Sequence, residues 1–358
     1  MSLNPAFQRL ASSKLAFRLV QRCHETLQRC LMGPPSASEV GYSTYSPEMV
    51  QRSERVIREA AKDPGLFDPE YDVTSEADTS GDPQISYDRI CHEEAHEVAA
   101  LDGAALFGEE DQYRSMGAEG PNMRGDGIRQ ALAAGNPFGV LDAIDGTHQF
   151  AAMYQPGAFG SVALVIDEQA RASTAIALGT GIVVHSDGHH VWKDNLADPL
   201  DQDGQELVGQ SIARRSHYAL NWLMPAYKPD RLAAAGRVAE WAINNSDKVA
   251  PPALISPLGG NPGIISSMVL APGGAVAAYQ PKSWAWDQIA AHICATLGFT
   301  VISAASGKRY LTKDIIEMLL RDLGAGAKTE ALVIGKTFLD AQAMRTALIG
   351  SGVVTVPH

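Results

Sequence analysis

Apolar positions recur along this chain with two different periods, and the period changes with position. Within residues 5–32, Leu15, Leu19, Cys23 and Leu27 fall every fourth residue, with Arg9, Lys14, Arg18 and Arg22 among them, which predicts an amphipathic helix. Its apolar face is wide enough to pack on a domain, so it reads as a structural first helix. The same basic composition, with no acid before Glu25, also fits a transit peptide. Residues 33–88 lose the periodicity and are rich in Pro, Ser, Asp and Glu, with one predicted helix at 47–62. Segments of that length serve as lids or insertions.

Short apolar runs follow. Residues 104–107 precede Gly108-Glu109-Glu110, and 138–144 read as a buried strand. From Gly160 the runs GSVALVID (160–167), STAIALGTGIVVHS (173–186) and HHVWKD (189–194) are separated by Asp-Glu and Ser-Asp-Gly turns, which predicts an antiparallel meander. Beyond the acidic linker NLADPLDQDGQE (195–206) the pattern alternates between helix and strand. Helices are expected at 229–244, 263–271 and 287–297, and a strand at 249–255. The chain is therefore expected to be α/β (α+β) in two parts, an N-terminal part over 1–205 carrying the antiparallel sheet and a C-terminal α/β part over 206–358.

Composition narrows the possibilities. The chain has 358 residues, 45% of them apolar and 20% charged, as in a globular protein that buries a large core. Its net charge of −12 argues against a nucleic-acid partner, whose backbone is gripped by clustered Lys and Arg. No apolar run approaches the ~20 residues needed to span a bilayer. Cys23, Cys30, Cys91 and Cys294 lack the spacing of a zinc site or redox pair, so a reduced, cytoplasmic setting is expected.

The candidate chemistry lies in three acidic clusters at the edges of apolar runs: Glu109-Glu110, Asp142 with Asp145, and Asp287. Hard divalent cations take oxygen ligands, commonly one or two carboxylates per ion. Asp142 and Asp145 end a predicted strand, where α/β sheets place ligand sites. Asp287 stands before a helix and has a complete explanation as an N-cap, a role compatible with metal ligation. His185, His189 and His190 surround a Ser-Asp-Gly turn and read as an exposed hairpin rather than a metal site.

Taken together, LFGEED (106–111), GVLDAIDGTHQF (139–150) and KSWAWDQIAAHICATLGF (282–299) resemble the inositol monophosphatase superfamily, the Mg²⁺-dependent phosphatases that include the fructose-1,6-bisphosphatases and bisphosphate nucleotidases. VLAPGGAVAAYQ (269–280) and VIGKTFLDAQAMRTALI (333–349) are similar to that family's late strands and closing helix. The resemblance implies a layered α-β-α-β-α sandwich. It implies two or three Mg²⁺ per site, with Mn²⁺ as a substitute and Li⁺ or Ca²⁺ as inhibitors, held by Glu109, Asp142, the Ile144 carbonyl, Asp145 and Asp287. Glu109 and Thr147 would orient the attacking water, while Asp145, Gly146 and Thr147 would meet a small phosphorylated substrate. Free amides at a helix start after Gly146 would suit its phosphate. A homodimer is also implied.

The chain departs from that pattern in places. Ala143 replaces the usual Pro and His148 the usual Thr, Ser or Asn. Gln280 occupies the place where inositol-specific members carry a sugar-contacting Glu. Arg214 and Arg215 follow the joint between the two parts, where they either grip a second phosphate bidentately or form a solvated turn. The expected activity is phosphate monoester hydrolysis by a metal-activated water. A fructose-1,6-bisphosphatase-type sugar bisphosphatase and a non-catalytic phospho-ligand-binding protein are the alternatives.

Overall fold

The computed structural model describes residues 14–32, 86–109, 123–146, 150, 157–196, 204–209, 221–225, 229–258, 260–271 and 274–356. Two sheets run through them. The first contains seven strands in chain order, β1 (Ala105–Gly108), β2 (Phe138–Asp145), β3 (Gly160–Ile166), β4 (Ala172–Leu178), β5 (Ile182–Ser186), β6 (Val191–Asn195) and β7 (Gln205–Glu206). β1 and β2 are parallel, and every later neighbour is antiparallel, as the meander reading expected. The second sheet has six strands: β8 (Asn221–Leu223), β9 (Leu254–Ser256), β10 (Ala277–Gln280), β11 (Thr300–Ser303), β12 (Arg309–Tyr310) and β13 (Leu332–Gly335). Their spatial order is β12-β11-β13-β10-β8-β9, with mixed directions.

The helices in chain order are α1 (Lys14–Met32), α2 (Ser86–Leu101), α3 (Met123–Ala134), α4 (Pro229–Asn244), α5 (Gly260–Ile264), α6 (Ile289–Thr296), α7 (Thr312–Gly324) and α8 (Phe338–Gly350). Strand alternation shows which helices lie on which face. On β2, Phe138 and Val140 enter the core between the sheets, whereas Leu141 and Ala143 enter the core beneath α1 and α2. On β13, Leu332 and Ile334 face the middle core, and Val333 faces α4 and α8. Five layers result: α1 and α2, the first sheet, a middle layer with α3, α5, α6 and α7, the second sheet, then α4 and α8. This is the α-β-α-β-α sandwich. Strands buried on both faces read in sequence as continuous apolar runs. The middle core draws side chains from both sheets, and Gln205–Glu206, at the expected joint between the two parts, is the last strand of the first sheet.

The first helix packs as a structural element. Leu19, Val20, Cys23 and Leu27 are buried, and two of the basic residues meet acids: Arg18 pairs at 2.7 Å with Asp102, just past the end of α2, and buried Arg22 pairs with Glu94 on α2. The helix expected at 47–62 lies outside the described residues. The strand expected at 249–255 shortens to Leu254–Ser256, because Pro251 and Pro252 lack the N–H a ladder needs. The helix expected at 263–271 begins at Gly260 and widens into a π-helix at Ile265–Leu270, closed by the Ala271 N–H on the Ser266 carbonyl at 2.9 Å. The histidine hairpin is exposed only at its tip. His185 is buried, stacks on Trp192 at 5.3 Å and bonds Asp194 Oδ2 at 2.6 Å, since strand register sets it opposite Trp192 on a covered face. No described helix is long and apolar enough to cross a membrane.

Candidate metal-dependent site

Two sequence-predicted acids lie three residues apart on one strand, which in a regular strand would send them to opposite faces. β2 avoids this with a bulge. Asp142 pairs with Val162 and Asp145 with Gly160, so β2 spends three steps where β3 spends two. Ile144 takes the outer face, buried with α1 and α2, and both aspartates turn to the middle layer. The Ser161 hydroxyl donates to the Ala143 carbonyl at 2.7 Å, inside the bulge.

β1 brings the third acid. Its parallel register sets Gly108 against Leu141, and the Glu109 N–H donates to the Leu141 carbonyl at 3.2 Å, which carries the pairing one residue further and sets Glu109 beside Asp142. Phe107 faces the middle core, so alternation turns Glu109 the same way. Gly108 has a packing reason to be glycine, because a Cβ there would overlap the ring of His92 on α2. Glu109, Asp142 and Asp145 thus share one face at the C-terminal ends of two parallel strands.

Asp287 arrives from the second half of the chain. It belongs to a 3-10 turn, Ala285–Gln288, rather than standing as the N-cap of a helix opening at 287, and its carboxylate accepts the Trp284 N–H at 3.1 Å. The turn packs against β2 and β3, and α6 begins directly after it. Gln280 is buried, and its amide donates to the Asp287 carbonyl at 2.9 Å. It acts on the backbone of the Trp286-Asp287 turn.

Sequence reasoning missed Asn261, on α5. Its main-chain N–H and its Nδ2 both donate to Asp145 Oδ2, at 2.8 and 2.6 Å. Nδ2 also donates to the Trp286 carbonyl at 2.8 Å, and Oδ1 accepts the Ala290 N–H at 2.6 Å. The only sequence signal was Gly260-Asn261-Pro262, which locally reads as a helix start. Burial pushes the Asp145 carboxyl up to about 6, with the Asn261 hydrogen bonds acting in the opposite direction.

The donors fit a hard divalent cation in chemistry, since all are oxygen. Among the described residues no three His, Cys, Asp or Glu side chains converge closely enough to enclose an ion. Gly146 follows β2 at φ +87°, and the Phe150 N–H donates to the Gly146 carbonyl at 2.9 Å. Glu110, Thr147, His148, Arg214 and Arg215 lie outside the described residues.

Solved structures similar to this chain include the fructose-1,6-bisphosphatase of Leishmania major in its holo form. It has a TM-score of 0.54 at 13% identity, over 96% of this chain and 96% of that one. The apo form of the same enzyme gives a TM-score of 0.50 at 13% identity, over 94% of each chain. The chain has the fructose-1,6-bisphosphatase fold. CysQ from Bacteroides thetaiotaomicron, a bacterial member of the inositol monophosphatase family, gives a TM-score of 0.49 at 15% identity, over 90% of this chain and 97% of that one. No family model matches the chain, and no curated protein does.

Proposed function

We propose that the protein is a Mg²⁺-dependent phosphatase acting on a small phosphate monoester. The observation that carries this reading is the β2 bulge, which turns Asp142 and Asp145 to one face beside Glu109. A regular strand would have separated them, and a solvated turn would have needed no such device.

Glu109, Asp142, the Ile144 carbonyl, Asp145 and Asp287 would hold the cations. Bound there, Mg²⁺ supplies charge neutralisation on the phosphoryl oxygens and a more acidic water. The chain's own part is positional. Glu109 and Thr147 would orient the attacking water, and the Glu109 carboxylate would take up its proton. Gly146 and Thr147 would present backbone amides to the phosphate. The decisive experiment is phosphate release from a panel of sugar, inositol and nucleotide phosphates with and without Mg²⁺. Release that requires Mg²⁺ supports the reading; no release from any member, with no Mg²⁺ effect on melting, leaves the phospho-ligand-binding alternative.

Gln280 favours a sugar bisphosphatase as the second reading. Its amide is committed to the Asp287 carbonyl, so it does not offer the carboxylate that the inositol-specific pattern places there. Arg214 and Arg215 would then serve a second phosphate. Comparing the parent with Arg215→Ala on a bisphosphate and a monophosphate of one sugar tests this. Selective loss on the bisphosphate, on the order of ten- to a hundred-fold for a bidentate contact, supports it. Equal loss on both supports the monophosphatase.

A further inference from the structure

Asn261 is fully buried and uses every polar atom of its side chain. Both amide protons are committed, one to Asp145 Oδ2 and one to the Trp286 carbonyl, and Oδ1 takes the Ala290 N–H. This fixes the orientation of the amide. Flipped, its oxygen would face a carboxylate and a carbonyl, while its NH₂ would face an N–H. No side chain of other chemistry reproduces two donors and one acceptor at this size.

The three partners belong to three elements. Asp145 ends β2, Trp286 lies in the 3-10 turn, and Ala290 lies in the first turn of α6. Trp286 is the residue before Asp287, whose own carbonyl is held from the other side by Gln280 at 2.9 Å. The peptide groups on either side of Asp287 are therefore both pinned by buried amides. Gly260 completes the seat: it has φ +72°, and a Cβ there would lie 2.6 Å from Asp145 Oδ1. Asp145 Oδ2 carries both Asn261 bonds, so Oδ1 is the oxygen that Asn261 leaves for another ligand.

We infer that Asn261 is a positioning residue that sets the placement of the Asp145 carboxylate relative to Asp287, so that the two can share a divalent cation. The inference rests on the metal-dependent reading above and adds to it the residue that spans the two halves of the site. Partners of ligating carboxylates typically change metal affinity by about ten- to a hundred-fold when removed.

The test compares the parent, Asn261→Leu, which keeps the branched shape without polar atoms, and Asn261→Ser, which keeps a donor but cannot span to Trp286. Mn²⁺ binding is measured by calorimetry. The Mg²⁺ concentration for half-maximal hydrolysis of p-nitrophenyl phosphate and the metal-free melting temperature are measured alongside. The expected result is Mn²⁺ binding weakened by about ten-fold or more in folded variants, with a parallel rise in the Mg²⁺ requirement. A purely structural role would lower the melting temperature or the number of competent sites and leave the affinity of those sites unchanged. Parental Mn²⁺ affinity in either folded variant overturns the inference while the metal-dependent reading stands. Loss of fold in both overturns it too, by making Asn261 a determinant of stability. A parent that neither binds Mn²⁺ nor hydrolyses the monoester removes the reading itself, and the inference with it.

Discussion

The Ser161 hydroxyl donates to the Ala143 carbonyl at 2.7 Å, one strand across from the point where β2 gains its extra residue. A bulge breaks the regular ladder, and a buried carbonyl left without a partner costs about 1–3 kcal/mol. Ser161 supplies that partner. It does so where the resemblance expected proline, whose fixed φ would have restrained the loop in another way.

Ser161→Ala should therefore destabilise the protein by about 1–3 kcal/mol, read as a lower denaturant midpoint with an unchanged slope. It should also weaken Mg²⁺ dependence, because the bulge aims both aspartates. An unchanged midpoint would mean that the bulge holds without this bond.

Asp142→Asn keeps the side-chain volume and removes a charge from the face shared with Glu109 and Asp145. On the proposed function, Mg²⁺-dependent turnover falls by on the order of a hundred-fold or more while the melting temperature without metal holds or rises. The parent should melt higher in millimolar Mg²⁺, and the variant should gain less. Near-parental turnover in folded Asp142→Asn would remove this aspartate from the site.

The pH dependence of the metal-free protein follows from Asp145, whose carboxyl burial raises to about 6. The folded state then holds this proton more tightly than the unfolded chain does. Its stabilising contribution is complete below pH 4, where both states are protonated, and is lost as pH rises from about 4 to 6. Asp145→Asn should flatten the melting profile in that window relative to the parent. Parallel profiles for the two proteins would contradict the shift. Metal binding has the opposite sign, strengthening as pH rises and the carboxyl ionises.

Arg22 and Glu94 join α1 to α2 as a buried ion pair. Removing one member of such a pair costs about 3–5 kcal/mol, because the other charge keeps its desolvation penalty. Arg22→Met should therefore lower the melting temperature sharply, and the double change Arg22→Met with Glu94→Met should recover part of the loss. If the double variant is less stable than the single one, the pair contributes through more than mutual charge compensation.

Much of this molecule was legible in its sequence, for local reasons. Helix α4 matches its predicted range because its ends carry their own signals, and the meander strands are bounded by their own turns. The three acidic motifs could be read because each combines fixed residue types with an adjacent apolar run. Tertiary contacts decided the rest. Asp142 and Asp145 share a face only because β3 registers against β2 with one residue fewer. Asp287 lies in a 3-10 turn that packs against β2 and β3, instead of capping a helix at 287. Gln280 was read as facing a ligand, and it bonds the backbone seven residues later. Asn261 showed in sequence only a local helix start and no link to the site, since its partners are 25, 29 and 116 residues away. Periodicity and capping act over a few residues and are written in the chain, whereas the spacing between carboxylates from distant segments exists only once the middle layer has packed.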